Sequence, residues 1–384
     1  MKIAIVTETF LPNTDGIVTR LCASIRWLLK EGHEVLVIAP DLGVAEFEGA
    51  KVAGIPARSF FLYRDKKFAL PRRQVGKELR EFNPDLVHVV NPAFLGVAGI
   101  YYARQGRWPL VASYHTRIPE QAEYYHVPFL KPVLWGYLRL LHNRADLNLC
   151  TSRSVLHDLN AHHFRNVHVW KRGVDTKKFH PRHFSESMRE RLTNGQPSKT
   201  LMLFVGRLAA EKEIEKIRDV LHQYPDTCLA LVGDGPHRSY LEKYFEGTNT
   251  VFTGFLHGEE LSQAYASSDA FVFPSTTETL GLVILEAMVS GLPVVAAKSG
   301  PTSEQVVDGS TGVLYDPEIE GDLVKTMDQL RNHTLRRKIS KKAREETADM
   351  DWAGQSKQLL GFYQQVLEMH GQDWFYVVDE KNDA

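Results

Sequence analysis

Short apolar runs alternate along the chain with longer segments whose apolar residues recur at helical spacing. The first run spans 3–6, and in the segment 16–30 that follows, apolar residues stand three or four positions apart. Runs that are apolar throughout are typical of strands buried on both faces of a parallel sheet. Strands that alternate with helices predict an α/β fold with helices on both faces of the sheet. Further strands are predicted at 34–39, 86–90, 110–114 and 147–150.

The alternation stops in a polar, irregular segment at 171–200, the predicted linker, and then starts again. A chain of 384 residues suits two domains. We predict two Rossmann-like, doubly wound α/β domains, 1–180 and 181–353, and an amphipathic helix from about residue 354. Ligands of such sheets bind at the carboxyl ends of the strands, so we expect a central cleft faced by both domains. Strands of the second half are predicted at 201–205, 228–232, 251–252, 270–273 and 294–297.

The composition, with 43% hydrophobic and 24% charged residues, is ordinary for a soluble globular protein. One apolar stretch, 280–297, is long enough to suggest a membrane span, but it contains Glu286 and is broken at 291–293. Because a carboxylate at bilayer depth costs about 3 kcal/mol, a buried helix followed by a buried strand is predicted there. No signal or transit peptide is recognised, so we expect a cytoplasmic protein whose membrane contact is peripheral.

The net charge of −1 conceals a split between the two halves. Residues 1–180 carry 25 Lys and Arg against 16 Asp and Glu, a net +9, and residues 181–384 carry 21 against 31, a net −10. A basic first half suits contact with an anionic membrane surface, and the split offers no case for nucleic acid.

Two glutamates eight residues apart follow the strand predicted at 270–273. Glu278 precedes a predicted helix, and Glu286 lies about two turns further in. The amides of Thr279, Leu280 and Gly281 are expected to be unpaired at the helix entrance, where they suit an anion or sugar hydroxyls. The carboxylate of Glu286 suits a pair of ribose hydroxyls. A capping carboxylate plus a chance buried one is the alternative, but burying an unpaired glutamate is costly.

Gly206 follows the strand predicted at 201–205, and Arg207 and Lys212 come after it. Fixed cations at the carboxyl end of a strand suit a diphosphate whose negative charge grows as it leaves. Two solvated basic residues are the alternative.

Two further positions stand at predicted strand ends. Gly16 lies in the first strand-to-helix turn, where a glycine lets the backbone approach a phosphate. His115 suits a hydrogen bond to a substrate hydroxyl or carbonyl, although most histidines are structural. Neither the turn at Gly16 nor the segment 233–238 matches G-x-G-x-x-G, so a nicotinamide dehydrogenase is disfavoured.

The sequence contains little that indicates a metal-binding site. The only D-x-D is Asp349-Met350-Asp351, which follows a charged helix and is interpreted as surface. The three cysteines are isolated in sequence, so neither a zinc site nor a disulfide framework is expected.

These motifs together resemble, over nearly the whole chain, the retaining glycosyltransferases of family four, which have the GT-B architecture. That resemblance implies a nucleotide-sugar donor and no metal or cofactor, since an Arg and a Lys replace the metal. It also implies retention of anomeric configuration by a front-face route in which the leaving phosphate helps deprotonate the acceptor. The motifs are Gly206-Arg207-x4-Lys212, 233–236, 173–175 and Glu278-x7-Glu286 with Gly281.

The resemblance assigns roles in the second domain. Arg207 and Lys212 would hold the donor diphosphate, and Glu286 would bind the ribose. Glu278 and the amides of 279–281 would bind the donor sugar, and Leu256 lies where the family clamps the base.

In the first domain, Gly16 would cap the diphosphate through its backbone, and His115 would contact the C6 region of the sugar. The helix at about 354–384 would cross back to this domain. His115, Arg207, Lys212 and Glu278 are the predicted catalytic residues.

Several stretches, among them 15–20, 113–116 and 343–347, are most similar to the sulfolipid-forming branch of the family. That branch implies UDP-sulfoquinovose as donor, diacylglycerol as acceptor and a photosynthetic bacterial source. The residue before Gly-Val-Asp is commonly Asn in the family, whereas here it is Arg172, preceded by Lys171. A guanidinium suits a sulfonate, so Arg172, with Lys171 beside it, is predicted to recognise the donor; two exposed linker cations are the alternative.

Two segments mix aromatic with basic residues, 60–73 and 124–139. Aromatic side chains suit the interfacial zone of a bilayer, and Lys and Arg are attracted to anionic lipid. We predict that they contact an anionic membrane, with core packing of the aromatics as the alternative.

Three alternative functions remain open from the sequence. A UDP-glucose- or GDP-mannose-dependent lipid glycosyltransferase would share every motif except the Lys171-Arg172 pair. A GT-B sugar-nucleotide epimerase would not need the aromatic and basic segments. A non-catalytic regulator is disfavoured because the predicted site residues are intact.

Overall fold

The structure, a computed structural model, describes residues 1–60, 63–124 and 127–379. The chain divides into two compact α/β units, and the predicted fold class is confirmed. The first unit comprises Met1–Ala122, Val127–Gly173 and the chain from Trp352 onward; the second comprises 174–351 with a short piece that begins at Glu123. The units therefore meet in sequence after Gly173, whereas the predicted boundary follows residue 180.

Sixteen strands lie in the described part of the chain. They are β1 Lys2–Thr7, β2 Glu34–Pro40, β3 Glu46–Phe47, β4 Ala50–Ile55, β5 Ala57–Phe60, β6 Tyr63–Ala69, β7 Leu86–Val90, β8 Leu110–Ser113, β9 Leu147–Cys150, β10 Val167–Val169, β11 Thr200–Val205, β12 Thr227–Val232, β13 Thr250–Gly254, β14 Ala270–Phe273, β15 Val294–Ala297 and β16 Gly312–Tyr315.

Fifteen α-helices lie in the same part of the chain. They are α1 Gly16–Lys30, α2 Arg73–Phe82, α3 Leu95–Gly106, α4 Ile118–Tyr124, α5 Lys131–His142, α6 Arg153–Ala161, α7 Glu186–Leu192, α8 Arg218–Gln223, α9 Arg238–Tyr244, α10 Gly258–Ala266, α11 Leu282–Val289, α12 Gly300–Ser303, α13 Asp322–Arg331, α14 His333–Thr347 and α15 Trp352–Asp379. No described helix combines the length and hydropathy that crossing a membrane requires.

The first unit is built on an eight-stranded sheet with the order β10-β9-β8-β7-β1-β2-β4-β3. All its pairs are parallel except β3 with β4, and β5 with β6 forms a separate antiparallel pair that the sequence pattern did not predict. Along β1 the side chains alternate between two cores: Ile3 and Ile5 pack in the cluster of α1, and Ala4 and Val6 in the cluster of α2 and α3. Helices thus cover both faces, as continuous apolar strands require.

The last helix, α15, packs on the first unit although it follows the second in sequence. Its buried face, formed by Leu359, Tyr363 and Val366, joins the cluster that contains Ile3 and Leu21. The helix thereby returns the end of the chain to the sheet on which it began.

The second unit has a six-stranded, all-parallel sheet with the order β13-β12-β11-β14-β15-β16. Strand β16 was not predicted. The segment predicted as an irregular linker contains α7, which Ser185 caps by accepting from the Met188 amide. Met188 and Leu192 are buried in a core cluster of this unit, so most of the predicted linker is part of the second unit.

Candidate active site

The loops that carry the predicted diphosphate and sugar residues adjoin one another in the second unit. Strands β11 and β14 are neighbours at the point where the strand order reverses, which is where open α/β sheets bind ligands. Gly206, Arg207 and Lys212 follow β11, and Glu278 follows β14. The topology therefore brings these four residues to one end of the sheet.

Lys212 and Glu278 form an ion pair, with 2.7 Å between Nζ and Oε2. Burial raises the pKa of Glu278, but the Lys212 ammonium, its hydrogen bond and the amides of Thr279 and Gly281 outweigh burial, and the net pKa lies below the usual value. Glu278 is therefore ionised at neutral pH and fixes the position of the ammonium.

The Thr279 amide donates to Glu278 Oε1 at 3.2 Å. The prediction of unpaired amides is wrong for Thr279 and for Gly281, because the Glu278 carboxylate folds back onto the loop and accepts from both. Gly281 has φ of +57°, the left-handed conformation that favours glycine, and ends the loop where α11 begins.

Gln305 supports the same loop and was missed in the sequence. Its Nε2 donates to the Leu280 carbonyl at 2.9 Å and lies 3.0 Å from where a Cβ on Gly281 would stand. No pattern marks this residue, since the contact joins segments 25 residues apart in the chain.

Arg207 pairs with Glu211, whose side chain is only 2% exposed. The backbone carbonyl of Glu211 accepts hydrogen bonds from the hydroxyls of Ser275 (3.2 Å) and Thr277 (3.4 Å). The loop after β11 is thus fastened to the loop after β14, and a buried carboxylate orients the Arg207 guanidinium. Sequence reasoning gave Glu211 no role.

The Gly233-Asp234-Gly235 turn holds the backbone around Gly206 in place. A Cβ on Gly233 would lie 2.0 Å from the Gly206 carbonyl oxygen, and one on Gly235 would lie 2.3 Å from the Leu208 carbonyl oxygen. The Leu208 amide donates to the Asp234 carbonyl at 3.0 Å. Close backbone contacts within the protein therefore require both glycines. The motif is explained by these contacts, and no dinucleotide-binding role is needed to account for it.

Glu286 projects from α11 and accepts a hydrogen bond from the buried hydroxyl of Tyr265 at 2.8 Å. Burial raises the pKa of Glu286, and the Tyr265 bond and the Lys178 charge only partly oppose it. The remaining acceptor positions of this half-buried carboxylate suit a ligand hydroxyl pair.

Leu256 has a buried side chain, 5% exposed, within the core cluster that contains Tyr265. The exposed ring of this turn is Phe255, at 58%. A base bound at this turn would contact the exposed ring of Phe255, whereas the buried Leu256 could contribute only its backbone.

Gly16 is the exposed first residue of α1 in the first unit. The preceding Asp15 caps the helix, and its Oδ1 accepts from the amides of Ile17 and Val18, both at 3.1 Å. The helix start that was predicted to approach a phosphate is therefore fixed by a carboxylate of its own.

His115 follows β8 and belongs to a buried chain of hydrogen bonds. Its Nε2 lies 2.9 Å from Ser113 Oγ, the same oxygen lies 2.8 Å from His88 Nε2, and His88 Nδ1 lies 2.8 Å from the Tyr363 hydroxyl on α15. Burial, followed by the charges of Arg20 and the neighbouring histidines, holds the pKa of His115 well below its usual range. His115 is thus a neutral imidazole whose orientation depends on the last helix.

Lys171 and Arg172 differ in their surroundings. Lys171 is exposed, whereas Arg172 is half-buried and its Nε and Nη2 atoms are buried. Two glutamines of α15 hold the two residues before Arg172: the Lys171 amide donates to Gln358 Oε1 at 2.7 Å, and the Trp170 side chain donates from Nε1 to the Gln355 carbonyl at 3.1 Å. For Arg172, the interpretation as an exposed linker cation is wrong.

Asp349 and Asp351 are exposed. Among the residues that the structure describes, no group of three or more His, Cys, Asp or Glu side chains is placed to hold a metal ion.

Comparison with known proteins agrees with the fold and the motifs. Residues 14–178 match the family described as Glycosyltransferase Family 4, and residues 188–346 match Glycosyl transferases group 1. The structure of Anabaena HepE in complex with UDP and glucose has a TM-score of 0.78 at 22% identity and covers 95% of this chain and 99% of that one. At that identity the likeness shows the fold.

Several named proteins are similar to the chain in sequence. A sulfoquinovosyl transferase from Arabidopsis thaliana is 41% identical over 88% of this chain and 68% of its own. A GDP-mannose-dependent alpha-mannosyltransferase from Mycolicibacterium smegmatis is 37% identical over 96% and 98%, and an alpha-monoglucosyldiacylglycerol synthase from Streptococcus pneumoniae is 28% identical over 88% and 82%. The chain therefore belongs to the group 1, family 4 glycosyltransferases and is a glycosyltransferase with the GT-B fold.

Proposed function

We propose that this glycosyltransferase moves sulfoquinovose from UDP-sulfoquinovose to diacylglycerol, with retention of configuration and without a metal. The observation that carries the proposal is the place of Arg172. Its guanidinium is half-buried and close enough to the buried Arg20 to lower the pKa of that residue. A neutral hexose carries no charge that two neighbouring guanidinium groups would bind, whereas a sulfonate is an anion that suits them. The similar sulfoquinovosyl transferase supports the same donor.

In this proposal the second unit binds the nucleotide. Arg207 and Lys212 stabilise the diphosphate as its charge grows, and they are already oriented by Glu211 and Glu278. Glu286 accepts from the ribose hydroxyls. Because the cations are held before the substrate arrives, little reorganisation is needed in the transition state.

The proposed acceptor is a lipid, and α5 offers a surface for it. Phe129, Val133, Tyr137 and Leu140 are exposed large apolar residues spaced three or four apart, and they lie on or just before α5. Trp135, on the opposite face, is buried against Tyr114, so for this residue the core interpretation is correct. An exposed apolar helix face in a basic half suits the headgroup region of an anionic bilayer. Of the two predicted membrane segments, Phe61, Leu62, Tyr125 and His126 lie outside the described residues.

A donor panel tests the proposal. Purified protein is incubated with diacylglycerol vesicles and UDP-sulfoquinovose, UDP-glucose or GDP-mannose, and the lipid product is identified by mass spectrometry. We expect the highest kcat/KM for UDP-sulfoquinovose, and a fall of about tenfold or more in its ratio to UDP-glucose in Arg172→Ala but not in the exposed control Lys177→Ala. Higher kcat/KM with either other donor overturns the proposed donor.

Vesicle flotation tests the membrane surface. Val133→Glu, at a position 64% exposed, is expected to weaken binding to anionic vesicles by about tenfold because it places a carboxylate on the apolar face. Ile319→Glu, at a comparably exposed apolar residue of the second unit, serves as the control. Equal flotation of both variants and the unaltered protein excludes α5 as the contact.

A further inference from the structure

Among the residues that the structure describes, no carboxylate pairs with the buried Arg20. It lies in the second turn of α1 and is 1% exposed. Its Nη2 donates to the carbonyls of Trp170 and Lys171, at 2.9 and 2.6 Å, and its Cζ lies 3.5 Å from the centroid of the Trp170 ring. Within the part of the chain that the structure describes, its Nε and Nη1 atoms have no hydrogen-bond partner.

This arrangement is costly for folding alone. A guanidinium is taken out of water, and the stacked ring and two carbonyls replace only part of its hydration. Each buried donor left without a partner adds a further desolvation penalty. Burial, followed by the like charge of Arg172, lowers the pKa of Arg20, so the neighbourhood gathers positive charge.

The two histidines nearest to the Trp170 ring add no negative charge that would compensate Arg20. His88 and His115 lie against the same Trp170 ring, at 6.1 and 5.8 Å between ring centroids, and burial keeps both imidazoles neutral. Among the described residues, Arg20 makes no ion pair. Unpartnered donors of a buried cation are the feature that an anionic ligand group satisfies.

We propose that Arg20 is a specificity-determining residue that donates from Nε or Nη1 to the sulfonate of the donor sugar, with Arg172 as the second cation. The inference rests on the proposed function, in which the diphosphate is already served by Arg207 and Lys212, so that the sulfonate is the remaining anion. Trp170 and its two neighbouring carbonyls hold the guanidinium in place before the donor binds.

The test uses the full-length chain with Arg20→Gln, Arg20→Lys and the matched control Arg26→Gln. Arg26 lies on the same helix, is largely exposed and pairs with Glu48. Each protein is assayed with UDP-sulfoquinovose and with UDP-glucose on diacylglycerol vesicles. We expect Arg20→Gln to lower the ratio of kcat/KM for the two donors by at least about tenfold, mainly through KM. Arg20→Lys should lower this ratio less, because a lysine keeps the positive charge but lacks the paired N–H donors of a guanidinium.

Three results would contradict the inference. An unchanged ratio in both Arg20 variants overturns the role of Arg20 while the proposed donor stands. An equal fall with both donors indicates a contact to the shared nucleotide or a general loss of structure, and also overturns it. Failure of the unaltered protein to use UDP-sulfoquinovose overturns the proposed function, and the sulfonate assignment with it.

A measurement on the unaltered protein covers the case in which the Arg20 variants do not fold. Inorganic sulfate is added as a competing anion, with sodium chloride at equal ionic strength as the control. We expect sulfate to raise the KM for UDP-sulfoquinovose several-fold more than the KM for UDP-glucose. Equal inhibition of the two donors overturns the proposed anion site.

Discussion

Gly233→Ala, which adds a single methyl group, should disturb the diphosphate loop, the loop after β11 that carries Arg207 and Lys212. Gly233 has φ of +135°, and the added Cβ would lie 2.0 Å from the Gly206 carbonyl oxygen, so one backbone must move by about 1 Å. Backbone strain of about 1–3 kcal/mol and overpacking of about 1–3 kcal/mol together predict a loss of about 2–6 kcal/mol. At about 2–4 °C per kcal/mol for a unit of this size, Tm should fall by roughly 4–24 °C.

The same movement displaces the residue that precedes Arg207. A displacement of about 1 Å in a positioning loop is expected to lower kcat/KM about a hundredfold. Far-UV circular dichroism gives the Tm, and release of the nucleoside diphosphate gives the rate, measured well below the lowered Tm.

Gly247→Ala is the matched control for Gly233→Ala. Gly247 has φ of +80° in the same unit, but no heavy atom lies within 4 Å of its added Cβ. It should lose about 1–2 kcal/mol from the left-handed conformation alone and keep its activity. If Gly233→Ala loses no more stability and no more activity than Gly247→Ala, the proposed support of the diphosphate loop is wrong.

Three further predictions concern titratable groups whose pKa values are shifted by burial. Because burial raises the pKa of Glu286, its ionised form destabilises the fold at neutral pH. Glu286→Gln should therefore raise Tm, although it weakens donor binding. A lower Tm in this variant would contradict the prediction. Tyr363→Phe removes the hydroxyl that holds His88, and through it His115, and should lower kcat roughly tenfold. The exposed Tyr101→Phe is the control. Equal kcat values in the two variants would show that these hydrogen bonds do not orient His115. Burial lowers the pKa of His88 to about 3 and of His142 to about 4, so the unfolded chain binds protons that the fold excludes, and stability should fall as pH drops from about 6.5 towards 4. Tryptophan fluorescence measures this in the first unit, whose ranges hold all six tryptophans, and a Tm that is constant over that range would refute it.

The apolar pattern predicted most of the parallel strands because a strand buried on both faces is apolar throughout. It also predicted that 280–297 forms a helix and a strand, α11 and β15. It missed β3, β4, β10 and β16, the β5–β6 pair and α7, which are short or include polar residues. Their positions depend on tertiary contacts, such as the burial of Met188 and Leu192 in a core cluster.

The sequence by itself determined the family, the two α/β halves and the residue types at strand ends, because these depend on local pattern and on spacing along the chain. Only the tertiary structure decided which partners those residues have. Glu211 beneath Arg207, Gln305 behind the loop at Gly281 and Tyr363 at the end of the His115 chain are each brought in from another turn or segment. The same holds for Arg20: in the sequence it is one basic residue of an amphipathic helix, and folding places it against Trp170, 150 positions away. Within the described ranges of the chain it has no counter-ion. Partners and burial, which set the charge and direction of a side chain, arise only when distant segments pack together.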